Sequence, residues 1–169
     1  MAKFNVSMVG VTGGARPYRV AASATRFYTG EPMMRTPSYT TGASDVNTVV
    51  VVTDTKPRVA TDEFVGIAAK DAEVNASATV IAHTTQVGVP IPYVTIMRAK
   101  AKTAASVDTD AELVGILNDL VDFDLTAGVY TIDQTAASNA SALQIVNGNI
   151  QKQTLDVVVD ARGMRTVIS

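Results

Sequence analysis

Cysteine and tryptophan are absent from this 169-residue chain, and histidine occurs once, at His83. Without cysteine there is neither a disulfide framework nor a cysteine-based zinc site, so burial, hydrogen bonding or assembly must stabilise the fold. A lone histidine, with no G-x-S-x-G sequence to present a nucleophile, gives no case for a catalytic triad. His83, in "VIAHTTQ", therefore reads as a structural or surface residue. No apolar run reaches the roughly 18 residues a membrane-crossing helix needs. The opening "MAKFNVSMVGVTGG" has one lysine, a broken apolar content and no cleavage pattern, which argues against a secretory signal.

Other site chemistry is equally thin. Gly10, Gly13 and Gly14 in "VGVTGG" lack both the Gly-Lys-Ser/Thr ending of a P-loop and the glycine spacing of a dinucleotide fold, so a turn is expected. The densest acidic group, Asp119, Asp122 and Asp124 in "NDLVDFDLT", offers oxygen ligands to a cation but has neither the glycine nor the distal glutamate of an EF-hand loop. Paired carboxylates could support hydrolysis, yet no spacing selects a pair. No catalytic residue, cofactor or metal is expected.

What the sequence has is β character. Short runs rich in Val, Ile, Thr and Tyr alternate with Gly, Pro, Asn, Asp and Ser, and candidate strands are "KFNVSMVGV", "YRVAASATRFY", "NTVVVVT", "EFVGIAA", "ATVIAH", "YVTIMRAK", "VYTID", "ALQIV", "TLDVVVD" and "RTVI". This predicts an all-β fold, a small barrel or sandwich over residues 47–169. Residues 1–46, with "VTGGARPY" and "YTGEPMMRTPSYTTGASD", read as an extended, loop-rich N-terminal arm ordered by packing on something else. Pro90 and Pro92 suit a sheet edge or the start of a strand, and Asn147-Gly148 in "VNGNI" is a hairpin signal.

One phrase occurs twice. "TDEFVGIAAKDAEV" from Thr61 is echoed by "TDAELVGILNDLVDF" from Thr109, which aligns Val65-Gly66-Ile67 with Val114-Gly115-Ile116. The echo suggests two related strands of one barrel, each with a glycine where a side chain would strike a neighbour. Against that, Thr109 and Glu112 form a possible capping box, and Leu113, Ile116, Leu117 and Leu120 fall at helical spacing. Residues 109–120 stay open between strand and helix.

The near-neutral net charge of −2 hides an asymmetry. Through Ala60, seven basic residues face three acidic ones, leaving +4; from Thr61 onward seven face thirteen, leaving −6. A basic front can steer toward an acidic partner. Its arginines are scattered and aromatics are few, so direct nucleic-acid binding is not expected.

In "RFYTGEPMM", "FVGIAAKDAEV", "DTDAELVGIL" and "DLTAGVYTID" the chain resembles the head decoration (cement) proteins of tailed bacteriophages and related virion structural proteins. In that group a "GEP" near the start, a "VGIA" strand leading into a "DA" turn and a second "GI" strand recur around a small β-barrel. The resemblance spans residues 26–133 and implies a protein without enzymatic activity, on the outer surface of an assembled virion head. There it would bind the major capsid protein as a homo-oligomer, often a trimer, and bridge neighbouring subunits. On that reading the interface is the front: Arg16, Tyr18, Arg19, Arg26, Phe27, Tyr28, Met33, Met34 and Arg35, residue types enriched at interface cores. Aspartate at Met33 and Met34 would then abolish binding and leave the fold intact. A competing class is a receptor- or glycan-binding fibre or tail module, which would need more aromatics than four Phe and five Tyr. The other is a β-fold hydrolase.

Overall fold

In the computed structural model, which describes residues 6–10, 12–22, 24–35, 49–52, 63–135 and 141–161, β structure dominates as expected. The strands are β1 Ser7–Val9, β2 Thr12–Val20, β3 Pro32–Arg35, β4 Val50–Val51, β5 Glu63–Ala68, β6 His83–Pro90, β7 Ile96–Ala101, β8 Leu120–Thr126, β9 Val129–Asp133, β10 Leu143–Asn149 and β11 Thr154–Val159. A helix, α1 Asp110–Ile116, and a 3-10 turn, Ala104–Ser106, lie between β7 and β8.

The strands form two sheets. In the first, β7, β11, β10, β8 and β9 are neighbours in that order, and a parallel pairing of β9 with β7 closes them into a five-stranded barrel. β1 shares that edge of β7, pairing with Ile96 to Arg98 while β9 takes Lys100 and Ala101. The second sheet runs β2-β6-β5-β3-β4, all antiparallel. It curls until its edges meet, where the Val49 N–H donates to the Arg19 carbonyl at 2.9 Å.

One core serves both sheets. β5 and β11 are each buried at five of six positions, as strands covered on both faces should be. Phe64 of β5 meets Phe123 of β8 at 6.0 Å between ring centroids, and Phe123 meets Tyr130 of β9 edge-on at 6.2 Å. Each buried ring contributes on the order of 2 kcal/mol relative to exposure. The Tyr130 hydroxyl donates to the Val52 carbonyl at 2.6 Å, so the buried ring also satisfies a buried acceptor across the sheets.

Several expectations are corrected. β2 and β3, placed by the sequence in an arm, are strands of the second sheet, so residue 46 does not separate an arm from a barrel; of the described residues of the candidate strand "YRVAASATRFY", only Tyr18 to Val20 are strand, at the end of β2. The glycines and prolines there are accommodated: a bulge separates Thr12 from Ala15, and Pro32 is the first residue of its strand. β6 and β8 were not anticipated, and "ATVIAH" forms only an isolated bridge, Val74 to Val80, before β6 begins at His83. Asn147-Gly148 lies within β10 beside a bulge, and the turn to β11 comes later, at Ile150–Gln153. The candidate strand "RTVI" falls outside the described residues.

The echo resolves into two different structures. Val65-Gly66-Ile67 is strand, bulged between the pairs Met33–Gly66 and Met34–Phe64. Gly66 sits at φ 143°, and a Cβ there would stand 2.0 Å from the Gly88 carbonyl oxygen. Val114-Gly115-Ile116 is helix instead, because Thr109 caps the Glu112 N–H and Glu112 reaches back to the Thr109 N–H. Leu113 and Ile116 pack on the core, Val114 is 67% exposed, and Gly115 faces open space. Asn118, at φ 72°, follows the helix in the left-handed conformation common after a C-terminus. The repeat is therefore not a duplicated unit.

These environments predict opposite outcomes for one substitution. Gly66→Ala should destabilise the fold by about 3 kcal/mol or more, since backbone must shift to admit the methyl group. Gly115→Ala should be neutral or stabilise by up to about 1 kcal/mol through helix propensity. Urea unfolding of the two variants measures both; equal effects would contradict the assignment.

Candidate interaction surface

The nine front residues divide by environment. Phe27, Met33 and Met34 are in the core, at 0%, 0% and 4% exposure. The sequence reading of these three as interface is corrected: both faces of β3 are covered at Met33 and Met34, and Phe27 is buried on the connection between β2 and β3. Aspartate at Met33 or Met34 would bury a charge, so that change reports on folding and not on docking.

Arg16, Arg19 and Arg26 are exposed, and Tyr18, Tyr28 and Arg35 are half-buried. They occur in three places. Arg26 lies 5.0 Å from the centre of the Tyr28 ring, a cation–π pair on the connection between β2 and β3. Arg19 borders a shallow groove of about 470 Å³ with His83 and the small residues Ala21, Ala22 and Ala82. Arg16, Tyr18 and Arg35 come together at the opposite end of the curled sheet, in a groove of about 440 Å³.

That second groove is a mouth. β2 and β5 begin there and β3 and β6 end there, because neighbouring strands of the sheet are antiparallel. The floor includes Phe64 and Val65, and one wall is Val89, Pro90, Ile91 and Pro92. Within it Arg35 is ion-paired with Glu63, its cross-strand partner. Sequence reasoning missed Glu63 and this wall; the only available signal was the proline pair, read as an edge device.

His83 is structural, as expected. Its Nε2 accepts the Glu73 N–H at 3.3 Å, which leaves Nδ1 as the donor to the Ile81 carbonyl at 2.8 Å. Its ring stacks on Phe27 at 6.2 Å. Of the acidic group, Asp124 is paired with a protein cation: the Lys102 ammonium donates to it at 2.8 Å and to Asp133 of β9 at 2.6 Å. Those hydrogen bonds, first to Asp124 and then to Asp133, raise the Lys102 pKa. Burial alone would push the Asp133 carboxyl up, but Lys102 and Thr135 hold it below its usual range. Among the described residues, no three metal-ligating side chains converge.

Glu31, in the "GEP" sequence, supports the loop that carries Arg26 and Tyr28. Its carboxylate accepts the Tyr28 N–H at 3.1 Å, and its own N–H donates to the Tyr28 carbonyl at 3.1 Å. Asp71 holds the next residue, accepting from the Thr29 N–H and hydroxyl at 2.7 and 2.8 Å. Burial pushes the Glu31 carboxyl pKa above 4.5, against the pull of the Tyr28 hydrogen bond and with the help of the Asp71 charge.

The folded state thus binds the Glu31 proton more tightly than the unfolded chain. The associated stability is present below pH 4.5 and is lost as pH rises through the elevated folded value. Glu31→Gln keeps an acceptor for Tyr28 and removes the buried charge. Its melting temperature should exceed that of the parent at pH 7, with the gap closing toward pH 4.5; a pH-independent gap would contradict this assignment.

Compared with known proteins, the chain matches no protein-family model and no curated sequence.

Proposed function

We propose that this chain is a capsid decoration protein, which binds the outer surface of an assembled viral head and bridges neighbouring major capsid subunits, acting as a homotrimer. The observation that carries the reading is the surface arrangement of the front. Arg16, Arg19 and Arg26 are exposed on a strand and loop whose apolar residues anchor them to the core. Guanidinium groups beside the half-buried Tyr18 and Tyr28 are the residue types that interface cores favour. Held on a sheet, they lose little freedom on docking, so less binding energy is offset by ordering. The "RFYTGEPMM" and "FVGIAAKDAEV" similarities to head decoration proteins support the same reading.

The physics of the role is linkage. A chain that binds the assembled lattice more tightly than its separated subunits stabilises the lattice, and simultaneous engagement of neighbours multiplies modest affinities. Such a protein needs rigid, charged contact area.

The test is a comparison of targets. The purified chain should bind intact heads from its source particle at a stoichiometry matching the lattice, and should bind dissociated capsid subunits at least about tenfold more weakly. Arg19→Glu with Arg26→Glu should weaken head binding without lowering the melting temperature. Absence of the chain from native particles, or equal affinity for heads and subunits, would refute the proposal.

A further inference from the structure

We infer that the mouth of the second sheet is a docking site for an acidic, extended segment of a partner protein, with Arg16 as the residue that engages its carboxylate. The inference rests on the decoration reading only for where that segment comes from, the major capsid subunit.

Charge at the mouth favours an anion. Arg35 is matched by Glu63 inside the groove, whereas Arg16 is exposed and has no acidic partner among the described residues. Among the described residues, the mouth therefore presents one unmatched guanidinium over a wall of Tyr18, Val89 and Pro92. A small inorganic anion would leave that apolar wall uncovered. A nucleic-acid backbone would meet, among the described residues, a single unpaired cation where several are needed. A segment carrying both carboxylates and apolar side chains satisfies both features.

The neighbouring tip extends the surface. At the turn between β6 and β7, Tyr93 is 54% and Val94 is 52% exposed, and Val9, paired to Ile96 of β7, is 40% exposed. Tyr93 also holds φ 58°, a left-handed conformation unfavourable for a bulky residue. The turn fixes it there: the Tyr93 N–H donates to Val159 at 3.1 Å, and the Ile91 N–H donates to the Thr95 hydroxyl at 2.8 Å. An aromatic ring held outward by a strained, hydrogen-bonded turn is preorganised for contact.

Strand addition along β2 fits less well. The Gln86 carbonyl accepts from the Ala69 N–H, so Gln86 faces β5, and Pro17, its partner on β2, faces the outer edge without a donor. Two positions on, the outward Arg19 carbonyl already accepts from Val49. Only a short stretch of that edge can pair, so side chains entering the mouth must supply the recognition. A second copy of β2 at this edge would also set arginine against arginine.

The experiment is an NMR titration of the full chain with a short, end-blocked peptide of alternating aspartate and valine, and with its lysine–valine counterpart. The acidic peptide alone should shift the amides of Gly13 to Arg16, Tyr18, Val89, Ile91, Tyr93 and Val94. Arg16→Glu should raise its dissociation constant by about tenfold or more, as expected for a lost charge-assisted hydrogen bond. Lys70→Glu, an exposed charge reversal just past the far end of β5, should leave it nearly unchanged. Failure of the acidic peptide to move these amides, equal response to both peptides, or unchanged affinity in Arg16→Glu would overturn the inference. On heads, an Arg16→Glu chain that binds like the parent would overturn the docking assignment and leave the decoration proposal standing. A parent chain that never binds heads, yet passes the titration, supports the mouth and removes the decoration proposal.

Discussion

The contact on which the molecule depends is the aromatic junction between its sheets. Phe64 reaches from the curled sheet to Phe123 of the barrel, Phe123 stands edge-on to Tyr130, and the Tyr130 hydroxyl returns to the Val52 carbonyl. Burial pushes the Tyr130 pKa upward, which favours the protonated hydroxyl that donates to Val52. With no disulfide available, burial at this junction is what makes the barrel and the curled sheet one body.

Close backbone approach is the second constraint and depends on the first. Phe64 can point into the junction because the bulge at Val65 re-aims β5, and the bulge is tolerated because Gly66 lets β5 lie against Gly88 of β6. The same curl brings Val49 to Arg19 at one end and opens the mouth at the other. Core packing and surface presentation are thus linked through a few residues of β5 and β6.

Much of the fold was legible in the sequence, and the failures have physical causes. Val-, Ile- and Thr-rich runs located β5, β7, β9, β10 and β11, whose side chains determine their burial. β3 and the first part of β2 were hidden because Gly13, Gly14, Pro17 and Pro32 oppose strand propensity locally and are tolerated only at a bulge, an outer edge and a strand start. The Val-Gly-Ile echo misled because a tripeptide does not fix its own conformation; the Thr109–Glu112 box decided the second copy. Of the site, the arginines were readable as exposed. The methionines were not readable as core, because nothing in "PMMR" alternates, and Glu63 could join the mouth only once cross-strand register was known.

The most direct test of this account is whether both sheets unfold together. In urea, NMR intensities of amides in β6 and in β11 should be lost with one shared midpoint and one shared denaturant dependence. If the β11 amides keep their folded intensities at urea concentrations where those of β6 have vanished, the sheets are separate bodies, and the claim that a single core presents the basic front is wrong.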